Sequence, residues 1–406
     1  MLNEVWLLVS VVILFIGLVA SQGLLLVLGA LSLIVSLVAK YWDRFAFQKV
    51  THFRTLSNNR AFVGDSVEYV ITLSNEKVLP LIWLDIQDAF PEGLELPGGN
   101  LRGSGAEVTR QHCITTSLLP YQKVTWKYKI ECTARGYHRI GPVRLRSGDI
   151  FGFSSAEIHY PKVEHLLVYP RIVDLGELIF PEQHPLGESK SWKPVAQDTT
   201  RFLRQRDYNP IDPMKHIDWK ASARRQRLQT KVFEPVVSLN VLIALNAATS
   251  EYAWQGSNRR IFERAVTAAA SVANDAALSG YSFGLVSNAV ASYSGKWLSV
   301  PMGASSTQLS LLLESLAMAG PYVVTPLTEV LRGERTSLPA GTTVVVVTSI
   351  LTRAIATEIA YIKESGYQVR VLYTGDQAPA VELPGVPVVR LGRVLDTQVE
   401  NEPAMA

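Results

Sequence analysis

His216, Asp218 and Ser222 stand close together in the chain, and an imidazole, a carboxylate and a hydroxyl are the groups that activate a serine nucleophile. Such groups normally reach working geometry from separate elements, so a local His-x-Asp with a nearby Ser is a weak sign of a hydrolase or transferase. Their surroundings are more distinctive. Asp207, Tyr208, Pro210, Asp212, His216, Asp218, Trp219, Lys220, Ser222, Arg224 and Arg225 gather turn formers, both signs of charge and one large aromatic.

From Arg201 to Lys231 nine Lys or Arg stand against three Asp, a surplus of six where the whole chain carries +3. The remainder is therefore slightly acidic and the basic character is local. Ile217 and Trp219 alternate with Asp218 and Lys220, which suits a strand or turn pinned by ion pairs and an aromatic anchor. Arg201, Arg204, Arg206, Arg224, Arg225 and Arg227 equally suit a surface for an acidic partner or an anionic lipid. Nucleic acid is disfavoured, because one Trp among these cations does not make a stacking platform. No glycine-rich phosphate loop follows an expected strand, and no Cys/His group has zinc spacing. The expectation is a non-enzymatic protein with no cofactor and no metal.

The elements that must carry this block divide the chain. No charged residue occurs from Val5 to Ala39, and Ser21-Gln22-Gly23 interrupts the run. This reads as a two-helix transmembrane hairpin over 1–45, with arms of about 16 residues, or roughly 24 Å of helix each. That is short for a hydrocarbon core, and Trp6 and Trp42 are placed to mark its interfaces. A cleaved signal peptide fits less well, since Met-Leu-Asn-Glu lacks a basic start. Lys40, Arg44, Lys49 and Arg54 follow the second arm while the turn is uncharged. The positive-inside rule then puts both termini and the soluble domains in the cytoplasm of a prokaryotic cell, at its inner membrane. Cys113 and Cys132 are expected as thiols there, and Gly17, Gly23 and Gly29 suit close helix packing that promotes association.

Over 50–170, apolar and polar residues alternate with regular turn signals, as in Ser66–Leu73 and Val124–Ile130, which predicts an antiparallel β-sandwich of immunoglobulin or fibronectin type. Its Thr133–Pro142 and Ser147–Phe153 segments read as corners. A connector follows over 171–235 and includes the polar stretch Pro181–Thr200. Over 236–395 strands alternate with helices: Leu239–Leu245, Ser282–Val286, Thr343–Val347 and Val369–Tyr373 against Arg260–Leu278, Thr307–Ala317 and Thr352–Glu364. That order predicts an open, mostly parallel sheet covered on both faces, with ligands taken at the carboxyl ends of the strands. Residues 396–406 read as a flexible tail.

Together, the anchor, the β-domain with Arg135-Gly136-Tyr137 and Asp149-Ile150-Phe151-Gly152, and the block Tyr208-x-Pro210-x-Asp212 to Ile217-Asp218-Trp219-Lys220-x-Ser222-Ala223-Arg224 resemble the domain-of-unknown-function-58 family. The resemblance implies a von Willebrand factor A-like (Rossmann-like) α/β domain and an adaptor role beside a MoxR-type AAA+ ATPase, in assembly, maturation or envelope-stress work. Ile211 stands where many members have Gly. Metal-binding domains of this type use Asp-x-Ser-x-Ser after the first strand, whereas this chain has Asn246, Ala248 and Ser250. Thr348-Ser349 stands where a supporting Asp is common, and Ser306 or Thr307 could add only a hydroxyl. A set without carboxylates is too weakly charged for Mg²⁺. Tyr252 and Trp254, in the same loop, are candidate anchors for a partner.

Overall fold

The computed structural model describes residues 2–103, 109–148, 155–175, 196–209, 214–236, 240–291, 297–339, 341–392 and 394–396. The chain divides into two compact units, residues 1–170 and 171–405.

The first unit opens with α1 (Leu2–Val19) and α2 (Gly23–Phe45). Gly17 and Gly29 let them touch: an added Cβ at Gly29 would lie 2.7 Å from Leu14 Cα, and one at Gly17 2.9 Å from the backbone of Leu25, whereas Gly23 faces open space. Two of the three expected packing glycines thus join the helices of one chain. Ser10 Oγ donates to Trp6 O at 2.7 Å and lies 2.6 Å from Ser32 Oγ, adding a polar bond across the pair. The Gly23–Trp42 part of α2, 20 residues, is long and apolar enough to cross a membrane; the apolar part of α1, Val5–Val19, is shorter. The second arm is longer than its uncharged run suggests because Lys40 does not end the helix and Tyr41 and Trp42 extend its apolar face.

Twelve strands follow: β1 (Val50–Leu56), β2 (Arg60–Phe62), β3 (Ser66–Asn75), β4 (Leu81–Pro91), β5 (Leu94–Glu95), β6 (Leu101–Gly103), β7 (Thr109–Leu118), β8 (Lys123–Cys132), β9 (Gly136–Ile140), β10 (Val143–Gly148), β11 (Ser155–Tyr160) and β12 (Glu164–Tyr169). They form sheets in the orders β1-β3-β8-β5, β11-β10-β4-β7-β6 and β2-β12-β9. Every second residue of β3, Val67, Tyr69, Ile71 and Leu73, is buried, as a strand with one inward face requires. Leu73 of that strand shares a core with Leu84 and Ile86 of β4, Leu145 of β10, and Trp42 and Ala46 at the end of α2. The C-terminal end of the apolar helix is therefore part of the β core. Lys77 closes it by donating through Nζ to the carbonyls of Phe45, at 2.7 Å, and Ala46.

Asp88 falls on the inward row of β4 and is fully buried. Arg54 Nη1 reaches its Oδ1 at 2.6 Å, Tyr69 donates to Oδ2, and Arg54 Nη2 donates to Lys162 O at 2.6 Å. Arg54 is thus a core cation, not one of the charges flanking the span. An added Cβ at Gly141 (φ +100°) would collide with its guanidinium, so this expected corner also seats an ion pair. Cys132 is buried and Cys113 half-buried, both thiols, and burial raises the pKa of each. Residues 149–153 of the second expected corner lie outside the described residues.

The second unit contains β13 (Ala196–Asp207) and β14 (Gln229–Val236), an antiparallel pair bridged by α3 (Trp219–Arg225). Its main sheet comprises β15 (Asn240–Leu245), β16 (Ser282–Ala291), β17 (Trp297–Gly303), β18 (Ala319–Val323), β19 (Thr342–Thr348), β20 (Gln368–Tyr373) and β21 (Val388–Arg390), ordered β17-β16-β15-β19-β20-β21 with β18 also on β16. The pairs from β16 through β15, β19 and β20 to β21 are parallel; β17 and β18 run antiparallel to β16. Nearly every residue of β15 and β19 is buried, because helices cover both faces. Leu327 and Leu331 of α6 (Leu327–Arg335) and Ile355 and Ile359 of α7 (Arg353–Glu364) pack with Leu242, Ala244, Val344 and Val346. Helix α4 (Arg259–Leu278) contacts β15, β16, β19 and α5 (Gln308–Ala317).

Candidate functional site

Two places collect the residues expected to work: the tip of the β13–β14 pair and the carboxyl ends of β15, β16 and β19. Both lie in the second unit. Pro210 and Asp212 of the basic block, and Ile211 between them, lie outside the described residues, as do residues 176–195 of the connector.

At the tip, Asp207 pairs with Gln229 in register, and Tyr208 N–H donates to Leu228 O at 2.9 Å. A 3-10 turn, Met214–His216, leads to Ile217, which is buried and bridged to Thr230. Asp218 then caps α3. Its Oδ1 accepts from Ala221 N at 3.1 Å, its Oδ2 from Gln205 Nε2 at 3.0 Å, and its backbone N–H donates to Gln229 O at 2.8 Å. The Ala221 N–H holds this carboxyl below its usual pKa, with Lys231 and Gln205 adding to the effect. Asp is a preferred cap because its oxygen takes up a helix-end donor. Gln226 in the left-handed region (φ 51°) ends the helix and turns the chain into β14.

Ser222 is buried against this frame. Its hydroxyl donates to Asp218 O at 2.7 Å and accepts the N–H of Gln229 at 2.8 Å. The Gln229 side chain in turn donates to Asp207 Oδ1 at 2.5 Å and accepts from Arg225 Nη1 at 3.4 Å. Ser222 therefore has its proton on a carbonyl and its lone pair on an amide, and acts as a staple between helix and strand. The local His216, Asp218 and Ser222 set is not arranged as a nucleophile with its base.

The alternation of Ile217 and Trp219 suited a strand or turn with an aromatic anchor, and an adaptor was expected to bury Trp219. The chain instead turns helical at Trp219, because the Asp218 cap favours helix over extended backbone, and the indole is 68% exposed. At 3.6 residues per turn, Trp219, Lys220, Ala223 and Arg224 occupy an arc of about 140° on α3. All four are exposed, and Arg225, Arg227, Met214 and Leu228 are exposed beside them in sequence. The tip thus presents an aromatic and several cations on a short, capped helix.

At the sheet end, Asn246 is buried and both ends of its amide are hydrogen-bonded. Nδ2 donates to Thr348 Oγ1 at 3.0 Å, while Oδ1 accepts from Ala248 N at 3.1 Å and Asn288 Nδ2 at 3.0 Å. Asn288 Oδ1 accepts from Ala247 N at 2.8 Å. Ser349 donates to Ala248 O at 2.8 Å, and Ser250 to Gly256 O at 2.7 Å. Ala248 offers no ligand atom. The donor set is neutral and turned inward, which does not fit an octahedral Mg²⁺ shell. Asn288 went unnoticed in the sequence because the second parallel strand runs on to Ala291, past the end of its apolar run. Beyond this network, Tyr252 and Trp254 stack on one another, ring centres 6.0 Å apart, and both are exposed.

An uncharacterized protein, YeaD, of Bacillus subtilis (strain 168) is 29% identical over 237 residues, 58% of this chain. The chain spans about half the length, 54%, of this curated relative. Among solved structures, a cohesin module from a Clostridium perfringens family 33 glycoside hydrolase aligns at TM-score 0.22 and 10% identity, over 29% of this chain and 96% of the module. A non-cellulosomal cohesin from Archaeoglobus fulgidus aligns at TM-score 0.20 and 12% identity, over 33% of this chain and 99% of its own. Residues 204–398, which include the α3 tip and the parallel sheet, match the family described as protein of unknown function DUF58.

Proposed function

We propose that this protein is a membrane-anchored, non-enzymatic adaptor whose α3 tip binds an acidic partner surface. The observation that carries the reading is the exposed Trp219, set on a capped helix face with Lys220 and Arg224. An exposed indole is a large apolar group with little rotamer freedom to lose, and aromatic and Arg side chains dominate protein interfaces. The cations add steering toward an acidic surface and discrimination between partners. In this reading the second unit is a von Willebrand factor A-like domain with an internally satisfied sheet end. Both α1 and α2 cross a prokaryotic inner membrane, and the folded domains face the cytoplasm. The resemblance to the domain-of-unknown-function-58 family nominates a MoxR-type AAA+ ATPase as partner.

The test is crosslinking of the full-length protein in native membranes, followed by affinity purification and mass spectrometry. Wild type, Trp219→Ala and the double variant Arg224→Glu, Arg225→Glu are compared. The expected result is an AAA+ ATPase captured by wild type and lost from both variants while their thermal unfolding is unchanged. Equal capture by all three, or capture of no ATPase by wild type, would sink this reading.

A further inference from the structure

We propose a second binding site in the first unit, at the cytoplasmic end of α2, that holds one anionic phospholipid. It rests on the membrane anchor in the reading above, though not on the adaptor role. A cavity of about 830 Å³ lies between Leu37, Lys40, Tyr41 and Arg44 of α2 and Ala156 and Ile158 of β11. An apolar cleft of about 480 Å³ adjoins it, sharing Leu37 and Tyr41 and bounded also by Ile34, Val38, Trp42 and Leu79.

The pair has the polarity of a lipid. The cleft has an almost wholly apolar wall on the membrane-spanning part of the helix and takes an acyl chain. Lys40 and Arg44 stand one helical turn apart, so their cations bracket a single phosphate at the headgroup level, with the exposed Tyr41 in the belt where interfacial aromatics sit. Glu157 also lines the cavity, but Arg144 Nε lies 3.1 Å from its Oε1 and offsets its charge within the wall. Exposed Gln48 and Ser155 supply neutral hydrogen-bonding groups.

The walls are held in place. Trp42 and Ala46 on the same helix are buried in the β core, and Lys77 ties down the helix end. Charge complementarity and continuity with the apolar span select an anionic phospholipid over a peptide. A peptide would leave the membrane-facing cleft empty, and a soluble phosphate would use only the two cations.

The full-length protein is purified in detergent and incubated with phosphatidylglycerol, phosphatidylcholine or inorganic phosphate. Retained molecules are counted by native mass spectrometry, and stabilisation is read by thermal unfolding. Wild type is expected to retain one phosphatidylglycerol with a preference of about tenfold or more over phosphatidylcholine, the weight of two cations facing an anionic headgroup. Lys40→Gln with Arg44→Gln abolishes the preference. Val38→Trp, which fills the cleft and leaves the charges alone, abolishes retention, and Lys49→Gln, outside both cavities, changes neither. Equal retention of the two lipids overturns the proposal. So does Val38→Trp behaving as wild type, which reduces the effect to surface charge, or inorganic phosphate stabilising as well as the lipid. An alkaline wash of membranes separates the two readings: release of the protein overturns anchor and lipid site together, whereas firm retention without lipid preference overturns the lipid site alone.

Discussion

Asn288 donates through Nδ2 to the Oδ1 of Asn246 at 3.0 Å, tying the ends of two neighbouring parallel strands, β15 and β16, with a neutral bond. The same oxygen accepts the Ala248 N–H, and the other end of the amide reaches Thr348 on β19. Calorimetric titration with Mg²⁺ should therefore show no saturable binding in the micromolar range. Asn246→Ala should lower stability by about 1–3 kcal/mol, because it leaves buried donors and acceptors unmatched. Saturable micromolar binding that Ser250→Ala removes would contradict the account.

The Arg54, Asp88 and Tyr69 group is the polar centre of the β-domain. Burial alone would lower the Arg54 pKa, and the adjoining Asp88 and Tyr69 together more than restore it. Burial pushes the Asp88 carboxyl up while Arg54 and Tyr69 pull against it. Asp88→Ala or Arg54→Ala should each cost about 3–5 kcal/mol, since one charge stays buried without its counterion. Urea unfolding measures this, and a cost near zero for either would show that the pair is not a structural requirement.

Acid should loosen the same domain through two histidines. Burial lowers both His52 and His112 from 6.5 to about 4, with Arg54 adding to the effect on His52. Between those values the unfolded chain takes up protons that the folded one refuses. Stability from these groups is then complete above pH 6.5 and lost as pH falls toward 4, at about 1.4 kcal/mol per pH unit for each histidine. His112→Leu should flatten the fall in unfolding midpoint over that window relative to wild type. An unchanged slope would mean that His112 does not contribute.

Ser222 supplies the bond that seats α3 on β14. Ser222→Ala removes both its bonds and leaves the Gln229 N–H buried without an acceptor, so a loss of about 1–3 kcal/mol is expected. Hydrogen exchange at Gln229 should accelerate with it. A hydrolase role for Ser222 would instead require loss of a turnover with stability intact.

Single elements were legible wherever one residue pattern decides one element. The charge-free run before Lys40 dictates apolar helix, and alternation in β3 dictates a strand with one buried face. Strands and helices in the second unit stand within a residue or two of where their apolar runs begin, as with α7 and its Thr352 cap. The edge strands β17 and β18 and helix α6 went unread, since their apolar runs are broken by Pro301, Pro321 and Arg332.

What the sequence by itself determined is the order of elements and the kinds of side chain at each place, because propensity, periodicity and charge act locally. Only the tertiary structure decided their roles. Arg54 looked like a flanking charge until β4 brought Asp88 beside it from 34 positions away. Asn246 looked like a degraded ligand until Asn288 and Thr348 closed around it from strands distant in sequence. Trp219 looked like an inward anchor until the Asp218 cap turned the chain into a helix and left the indole outside. Each is a matter of which distant group satisfies a charge or a hydrogen bond, and a one-dimensional pattern does not encode that neighbour.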